Sequence, residues 1–554
     1  MSGKLALEDY LSQKVGHVLR IIAEEDGVDR PADFRAVMET PKDEKNGDIS
    51  CNAAMQLAKV FRANPRILAE RIIENLGIAD EYVERIETAG PGYINFYISR
   101  EWYLKDLTTI LDDKTDYGSI VPEKAKTIDV EYVSANPTGP PHIGNARGGV
   151  IGDVLANVYA KLGWKVTKEF YLNDYGNQIK KFGESLMARF RQISDPEFPF
   201  PEDGYRGKDI TELAEKFAGD HPEASELKDE ELADTLSAYG LKANVANMHD
   251  VLDRYGIHYD VWFPESDLHK SGAVDRAVEL LRSNGAVYEK DGAVWFKATD
   301  YDCDKDEVLI RANGIPTYFA SDIAYHLNKL SERHFDLAVN VWGADHHGHV
   351  HRLKMAMKAC GIDPDRLQVV LMQLVHLVRG SETVKMSKRR GDAVSLEEFL
   401  GEVPLDAVRY LFNTTNPNSH LVLDLDMAIK TSLENPVFYV QYAHARICSI
   451  LRNVKREDGN ADYGKLTDRT ELALIKQMTT YSTAILNAAE EFDTSKITKF
   501  VYDLANAFHS FYNACRVAND DPALTNARLD LCMAVRFVLE SALCLLGVSA
   551  PEEM

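Results

Sequence analysis

Residues 128–153, IDVEYVSANPTGPPHIGNARGGVIGD, contain the transition that decides the fold. The segment opens with apolar residues at alternate positions, which is the pattern of a β-strand. Three prolines and two glycines between residues 136 and 144 then exclude regular structure. From residue 150 onward apolar residues recur at intervals of three and four, as on the buried face of a helix. The stretch is therefore predicted to form a strand, a tight loop and a helix that starts near Asn145.

The beginning of this helix is predicted to favour an anion. It contains Gly148 and Gly149 and has no acidic side chain before Asp153. Its free N–H groups and its dipole would therefore point at whatever the loop holds. His142, at the end of the loop, can donate an N–H to a phosphate oxygen. A phosphate-binding unit is the simplest interpretation of these residues.

Two short motifs carry a resemblance to a known family. His142-Ile143-Gly144-Asn145 resembles the HIGH signature of class I aminoacyl-tRNA synthetases, and the surrounding SANPTGPPHIGN resembles arginyl-tRNA synthetases in particular. The second signature of that class is a KMSKS loop, and residues 385–389 read Lys-Met-Ser-Lys-Arg. Either motif alone would also fit a generic strand-loop-helix unit or an ordinary basic loop. Together, and in this order, they imply a Rossmann-type class I catalytic domain.

Composition limits the class of protein. The chain has 554 residues, of which 45% are hydrophobic and 27% charged, as expected of a multidomain globular protein. No apolar run approaches the roughly 18 residues of a membrane helix, and the charged N-terminus does not resemble a secretion signal. Seven scattered cysteines form no CxxC pair, which argues for reduced thiols and against structural zinc. We expect a cytoplasmic protein with no membrane contact and no structural metal.

The net charge does not by itself favour a nucleic-acid partner. A formal charge of −24 is unfavourable for phosphate contacts, which depend on Lys and Arg. Composition alone would favour a small-molecule enzyme. The expectation that tRNA is a partner therefore depends on the motifs and the family resemblance.

The resemblance and the changes in pattern predict a multidomain α/β protein. The N-terminal phrases GDISCNAAMQLAK and AGPGYINFYIS resemble the appended domain of arginyl-tRNA synthetases, and Asp406-Ala407-Val408-Arg409 resembles the phrase that leads into their anticodon-binding bundle. The predicted segments are an α+β tRNA-contacting domain at residues 1–118, a Rossmann catalytic domain at 119–400 with a helical insertion at about 180–285, a connecting segment at 401–435, and an all-α anticodon-binding domain at 436–554.

A pocket that selects arginine needs acids. A guanidinium is a planar fork of donors that a carboxylate matches with two hydrogen bonds, whereas the ammonium of lysine is a point charge. The resemblance implies that Glu131 and Asp322 hold the guanidinium beside Tyr318, and that Ser134 and Asn136 hold the α-amino end. Asp322 would also fit as a plain N-cap of the helix in DIAYHL, which needs no function.

Further residues are assigned to ATP by the resemblance. A buried strand at 339–342 would deliver Gly343 and Asp345 to the ribose and His346 to the α-amino group of arginine. The histidines of GADHHGHVH could also suit a metal, but Asp345 is the only further ligand type nearby, and no metal site is predicted. The full ATP-binding set is His142, Gly144, Asn145, Gly343, Asp345, Lys385, Met386, Ser387 and Lys388, with His142, Asn145, Lys385 and Lys388 as the catalytic residues.

The implied reaction is arginine activation followed by transfer. The arginine carboxylate attacks the α-phosphorus of ATP, whose Mg²⁺ arrives with the nucleotide, and the arginyl group then passes to the terminal adenosine of tRNA(Arg). This sequence differs from its relatives in two ways: Asn145 replaces the second histidine of HIGH, and Lys388 is kept where many arginyl enzymes lack it. Because Asn145 cannot be protonated, a cationic role at that position is in doubt.

Four residues are predicted to contact tRNA. Asn95 and Phe96 in the N-terminal domain would bind nucleotides, Phe96 by stacking on a base. Tyr439 and Arg446 would contribute to an aromatic and basic RNA surface. Completion of a sheet explains the first pair equally well, and the core of a helical bundle explains the second. We expect a monomer.

Two other functions fit parts of the pattern. A class I synthetase for cysteine or glutamate would share both signatures, although paired acids in the pocket would not be expected for either, and a cysteine enzyme would usually have zinc-spaced thiols. A tRNA-binding regulatory relative without catalysis would not need His142, Lys385 and Lys388. The amino acid that is attached to tRNA in the presence of ATP distinguishes all three.

Overall fold

A computed structural model describes residues 2–29, 34–41, 43–78, 81–380, 382–383 and 395–554. The segment that resembles KMSKS, residues 385–389, lies outside the described residues. In the described part of the chain, no helix has the length and apolar character needed to cross a bilayer.

The N-terminal region is an α+β domain, as predicted. Its antiparallel sheet has the strand order β1-β2-β4-β3. Leu7, Leu11 and Val15 on the first helix are buried, so the apolar face of this helix packs into the core. The elements are α1 (Gly3–Asp26), β1 (Met38–Glu39), β2 (Ile49–Cys51), α2 (Ala53–Leu57), α3 (Pro65–Asn75), β3 (Val83–Ala89), β4 (Tyr93–Ile98) and α4 (Arg100–Asp113).

The central region is built on a parallel sheet with helical crossovers, which is the predicted Rossmann-type arrangement. Its five strands have the order β12-β11-β5-β6-β7, and all neighbours are parallel. A separate antiparallel sheet has the order β10-β9-β8. The elements are β5 (Thr127–Glu131), α5 (Ile143–Lys161), β6 (Lys165–Leu172), α6 (Asn177–Gln192), α7 (Lys208–Asp220), α8 (Asp229–Arg254), β7 (Val261–Pro264), α9 (Glu265–Lys270), α10 (Ala273–Ser283), β8 (Val287–Lys290), β9 (Ala293–Phe296), β10 (Glu307–Ile310), α11 (Tyr318–Leu327), β11 (Leu337–Gly343), α12 (His347–Ala359) and β12 (Leu367–Met372).

The remaining chain forms a small connecting sheet and a helical bundle. In the connecting sheet, β13 pairs parallel with β15 and antiparallel with β14. The elements are β13 (Val375–Arg379), β14 (Glu382–Thr383), α13 (Leu396–Glu402), α14 (Leu405–Phe412), β15 (Leu421–Asp424), α15 (Leu425–Ala428), α16 (Pro436–Asn453), α17 (Arg469–Thr479), α18 (Tyr481–Glu490), α19 (Ser495–Ala514) and α20 (Pro522–Leu546).

Two details differ from the sequence prediction. The predicted insertion at about 180–285 is helical at first, but it includes β7, which is an edge strand of the main sheet. The apolar run at residues 368–377 has the pattern of a single strand in the sequence, but it contributes to two strands, β12 and β13, which belong to different sheets. Short strands of four to six residues have too few positions to show a clear period, so the sequence could not separate them from their surroundings.

One buried arginine joins the catalytic region to the bundle. Arg409, on α14, forms an ion pair with Asp153 of α5, and its Nε donates to the carbonyl of Leu546 at 2.9 Å. Leu546 is the last residue of α20, and a Cβ on the following Gly547 would overlap the Arg409 guanidinium. The predicted lead-in phrase to the bundle therefore contains the side chain that fixes the bundle against the helix of the first signature.

Candidate active site at the carboxyl edge of the parallel sheet

The first signature caps helix α5. His142 is the N-cap residue: its Nδ1 accepts the N–H of Gly144 at 3.1 Å, and its own N–H donates to Oδ1 of Asn145 at 3.3 Å. The helix thus begins at Ile143, slightly before the predicted start. Because Nδ1 accepts, Nε2 carries the proton, and burial lowers the pKa of His142 below its usual value. The ring is a neutral N–H donor beside a helix N-terminus.

The described residues that follow the second signature contact the first signature. Ser395 forms an isolated antiparallel bridge with His142, and the N–H of Leu396 donates to the Pro141 carbonyl at 2.8 Å. On the other side, β14 ends at Thr383. The predicted residues Lys385, Met386, Ser387 and Lys388 fall between these two points of the chain, outside the described residues. The first residues described after this segment therefore lie beside His142.

The loop after β5 has a strained backbone. Val133 and Ser134 have φ values of +68° and +42°, in a region that non-glycine residues rarely adopt. The Ser134 hydroxyl donates to Glu131 Oε1 at 3.0 Å and accepts the N–H of Tyr171 at 3.1 Å. Two neighbouring strands therefore hold Ser134 in place, and Asn136 follows with an exposed side chain.

The Glu131 carboxylate is bound by protein groups on both oxygens. Lys329 Nζ donates to Oε2 at 2.7 Å and Ser134 donates to Oε1, and Glu131 is 4% exposed. This arrangement does not show the predicted pairing of Glu131 with Asp322. Each oxygen that a guanidinium fork would use already accepts a hydrogen bond from Ser134 or Lys329.

Tyr318 and Asp322 lie one turn apart on helix α11. The helix begins at Tyr318 with Thr317 as its N-cap, so the alternative that Asp322 is an N-cap is wrong. Residues four apart share a helix face, and both side chains are at least partly exposed. His349 Nε2 lies 2.8 Å from Asp322 Oδ2. The two predicted residues are brought together at the carboxyl edge of the sheet.

Glu265 is the acid that the sequence analysis missed. It follows β7 directly, is 2% exposed, and has a pKa raised to about 7 by burial and by the charge of Asp322. Among the described side chains, the ion pairs of Glu265 and Asp322 involve only His269, at 3.6 Å, and His349. A strand prediction for Val261–Pro264 would have placed Glu265 at the ligand-binding edge of the sheet.

The residues predicted for the ribose and the α-amino group follow β11. The strand ends at Gly343, Asp345 has a highly exposed side chain, and His346 Nε2 lies 3.7 Å from Asp345 Oδ2. The neighbouring histidines diverge, because His349 contacts Asp322 whereas His351 contacts the Asp302 carbonyl at 2.8 Å. Within the described ranges, no group of three or more His, Cys, Asp or Glu side chains is arranged to hold a metal.

The predicted tRNA contact of the N-terminal domain is wrong for its aromatic residue. Phe96 is 0% exposed on the central strand β4, so no base can stack on it. Asn95 is 3% exposed and its Oδ1 accepts the Ser50 hydroxyl at 2.8 Å, which leaves its amide turned into the sheet. The partly exposed aromatic residues of this strand are Tyr93 and Tyr97.

Tyr439 and Arg446 lie on one face of α16, against α19. The Tyr439 ring is 5.3 Å from the Tyr502 ring, and the Arg446 guanidinium lies 4.9 Å from the Tyr442 ring and 4.5 Å from the Tyr512 ring. We call these five residues the aromatic face of the bundle. Tyr502 and Tyr512 are 44% and 36% exposed, so this face is open to a ligand in part.

Comparisons with known proteins agree with this architecture. Residues 7–98 match the family "Arginyl tRNA synthetase N terminal domain", residues 106–448 match "tRNA synthetases class I (R), catalytic domain", and residues 440–554 match "DALR anticodon binding domain". Solved arginyl-tRNA synthetases from Thermus thermophilus and Plasmodium falciparum superpose with TM-scores of 0.78 and 0.77 at 23% and 17% identity, covering 99% and 100% of this chain and 100% of each of theirs.

The parallel sheet, the capped helix α5 and the match to the class I catalytic domain define a class I aminoacyl-tRNA synthetase. Curated relatives make the assignment narrower. The arginine–tRNA ligases of Caldanaerobacter subterraneus and Ruminiclostridium cellulolyticum are 48% and 47% identical over 93% of this chain and 93% of theirs, and that of Carboxydothermus hydrogenoformans is 42% identical over 99% and 100%. The chain belongs to the arginine–tRNA ligase family.

Proposed function

We propose that this chain activates L-arginine with ATP to arginyl-adenylate and transfers the arginyl group to the terminal adenosine of tRNA(Arg), with the chemistry at the carboxyl edge of the parallel sheet. Family membership supports the reaction, and the side-chain geometry supports the assignment of residues. The working location is the cytoplasm and the working unit a single chain.

The choice of arginine depends on two acids: Asp322 is near enough to Glu265 for its charge to raise the pKa of Glu265, and neither acid forms an ion pair with a lysine or arginine among the described residues. Two acids that repel each other need a cation between them. A guanidinium presents a fork of donors that can engage both carboxylates, with Tyr318 beside it. We therefore assign the guanidinium to Glu265 and Asp322, which revises the pair predicted from sequence.

Glu131 then belongs to the other end of the substrate. Its carboxylate is fixed by Lys329 and Ser134 next to the strained loop that leads to Asn136. We assign Glu131, Ser134 and Asn136 to the α-ammonium group of arginine, and His346 remains a candidate neighbour of that group. Backbone strain in this loop is consistent with a segment that is pre-organised for a ligand.

The ATP phosphates are assigned to the N-terminus of α5. His142 and the amides of the first turn present donors there, and Gly144 and Asn145 form the cap. Lys385, Met386, Ser387 and Lys388 would bind the same phosphates, and Gly343 and Asp345 the ribose. Mg²⁺ would come with the nucleotide, since the α-phosphate and pyrophosphate need charge neutralisation in the transition state. The arginine carboxylate is itself the nucleophile, so the protein supplies position and charge.

The function is tested by a charging assay with ATP, total tRNA and each of arginine, lysine, glutamate and cysteine. We expect label to be attached from arginine only, because a pocket with two acids matches a fork better than a point charge and excludes an acidic side chain. Charging with another amino acid would contradict the assignment. Binding of tRNA without any charging would favour the regulatory alternative.

The raised pKa of Glu265 predicts that the kcat/KM for arginine depends on pH. The pKa of Glu265 is about 7 in the free site, and arginine binds the ionised form. The kcat/KM for arginine should therefore be constant above about pH 8 and fall about tenfold per unit well below pH 7. The measurement is the initial charging rate at low arginine concentration across that range. Glu265→Gln should lower kcat/KM at every pH and remove this step, whereas a step that persists in the variant would show that another group titrates.

The aromatic face of the bundle predicts that a substitution there changes the KM for tRNA. Arg446→Ala removes a cation held between two tyrosine rings. If bases stack there, the KM for tRNA should rise about tenfold while the KM for arginine is unchanged, since one stacking contact contributes about 1–3 kcal/mol. Arg456→Ala is the matched control, because Asp530 already neutralises Arg456 on the same bundle. Equal tRNA KM values for the two variants would remove the aromatic face from the RNA surface.

A further inference from the structure

A cluster of buried charges lies on one face of the central strands. Glu131 on β5 and Glu169 on β6 are direct neighbours in the parallel register, and Asp129 lies two positions before Glu131 on the same face. All three carboxylates are nearly or fully buried. Lys329 and Arg333, in the turn that follows α11, form ion pairs with them. We call these five residues the charge cluster.

Acids at these positions are unusual and need compensation. The central strands of a parallel sheet are normally apolar, and a buried charge is costly unless it is paired and hydrogen-bonded. Lys329 Nζ is 0% exposed and lies 2.9 Å from Asp129, 2.7 Å from Glu131 and 3.9 Å from Glu169. Burial alone would lower the pKa of Lys329, but the three carboxylates outweigh burial and hold it above its usual value. Lys329 is therefore charged.

The backbone is deformed at Lys329. A π-helical turn at residues 328–332 follows α11, and such wide turns often mark functional positions. The Arg333 N–H donates to the Asn328 carbonyl at 2.8 Å, which closes the wide turn. Lys329 and Arg333 are four residues apart, so they share a face of the helical segment, and both side chains reach the acids of the sheet.

The two cations of the charge cluster have different partners. Arg333 contacts Glu169 at 2.6 Å and Asp129 at 3.6 Å, and no ion pair joins it to Glu131 among the described residues. Lys329 is the cation that contacts Glu131, and Glu131 in turn accepts from Ser134. A continuous path thus runs from Lys329 through one carboxylate to the strained loop.

We propose that Lys329 is a positioning residue for the arginine substrate: it orients the Glu131 carboxylate so that Glu131 and the Ser134 loop receive the α-ammonium group. This inference depends on the proposed contact between Glu131 and that group. Three acids and two bases leave the charge cluster with one negative charge in excess when all are ionised. Burial raises the pKa of Asp129 to about 7, so in the free site a proton on Asp129 balances the excess in part, and the α-ammonium of the substrate would balance it when bound.

The test compares two variants that each remove one cation from the charge cluster. Lys329→Met should raise the KM for arginine tenfold or more and leave the KM for ATP unchanged, because Glu131 loses its orientation. Arg333→Met is the matched control and should leave the KM for arginine near that of the parent, because Arg333 does not touch Glu131. Both constants come from steady-state charging assays with saturating tRNA.

A pH profile separates positioning from a general loss of structure. In the Lys329→Met variant the buried acids of the charge cluster lose one of their two cations and the cluster binds a proton more readily, so the arginine KM of the variant should fall as pH rises from about 7 to about 9. The parent and Arg333→Met should show no such change above about pH 8. The titratable groups around Glu131 in the described structure are Asp129, Glu169, Tyr171, Tyr259, Tyr325, His326 and Lys329.

A second variant keeps the test valid if Lys329→Met does not fold. Asp129→Asn combined with Lys329→Met removes one acid and one base, so the net charge of the cluster is unchanged while Glu131 still loses its partner. It should show the same increase in arginine KM. Equal arginine KM values for this variant, Arg333→Met and the parent would overturn the inference.

Glu131→Gln distinguishes this inference from the function on which it depends. If Glu131→Gln raises the arginine KM and the Lys329 variants do not, Glu131 binds substrate and Lys329 does not position it. If Glu131→Gln has no effect on the arginine KM, the assigned contact is wrong and the inference fails with it. In both cases the proposal that the parent enzyme charges tRNA with arginine is unaffected.

Discussion

Replacing Asp322 with asparagine is expected to raise the KM for arginine by about two to three orders of magnitude. The change keeps the shape of the side chain and removes the charge that a guanidinium would meet beside Glu265. Truncation of one partner in a buried hydrogen-bonded charge pair costs about 2–5 kcal/mol, and about 1.4 kcal/mol corresponds to a factor of ten. The measurement is steady-state charging of tRNA at varied arginine concentration.

The matched control for this experiment is Asp345→Asn. Asp345 is an exposed acid of the same cleft that is assigned to the ribose, so its replacement should change the KM for ATP and leave that for arginine within about twofold. An unchanged arginine KM in Asp322→Asn would place the guanidinium elsewhere. Equal effects on arginine and ATP would mean that the variant disturbs helix α11 as a whole.

The sequence was sufficient to predict one half of the arginine site that we propose. Tyr318 and Asp322 were found because a family phrase marks them, and their spacing of four residues places them on one helix face. Glu265 was missed because its only local signal is the four-residue strand β7, inside a segment that otherwise has a helical period. Recognising that strand would have required knowing that β6 has a parallel neighbour there, which is a fact of the tertiary structure.

Glu131 shows a different limit. The sequence marks Glu131 as a candidate site residue, but it could not assign its partner, because Lys329 is 198 residues further along the chain. A helical period places Lys329 and Arg333 on one face, because they are four residues apart, but nothing in the local pattern shows that this face meets three carboxylates of the sheet. Long-range ion pairs of this kind are determined by packing, and a single sequence does not reveal them.

In the N-terminal domain, the alternation of residues along β4 was sufficient to predict that Phe96 is buried. Phe96 shares its strand face with Ile94 and Ile98, and all three are buried. Alternation in β4 therefore already predicted that Phe96 faces the core, and the family resemblance was given more weight. Asn95 shares its face with Tyr93 and Tyr97, but its hydrogen bond to Ser50 on the neighbouring strand removes it from the surface.

Helix α5 connects the proposed ATP site to the anticodon-binding domain. Its N-terminus is capped by His142 beside the described chain that follows the second signature, and further along it Asp153 is paired with Arg409. Arg409 also holds the last carbonyl of α20. The helix assigned to the ATP phosphates and the last helix of the anticodon-binding domain are thus fixed to the same buried guanidinium.

Lys388→Ala is expected to slow formation of arginyl-adenylate by about a hundredfold or more while arginine binding is retained. The neutral His142 and the amides of α5 supply hydrogen bonds but no full positive charge, so we expect the lysines, together with the Mg²⁺ of the nucleotide, to neutralise the charge that develops on the departing pyrophosphate. Loss of one pre-organised donor typically costs about 2.7–4 kcal/mol of barrier, which is a factor of about a hundred to a thousand. The rate should be measured in a single turnover with tRNA present.

Arg390→Ala is the control for Lys388→Ala, because it removes a charge two positions away in the same segment and is not assigned to the phosphates. Arginine binding to both variants, measured by calorimetry, should equal that of the parent, since the guanidinium site involves neither residue. An unchanged rate of adenylate formation in Lys388→Ala would remove this lysine from the chemistry. A similar slowing in both variants would show that the segment contributes only a general positive potential, without a specific contact from Lys388.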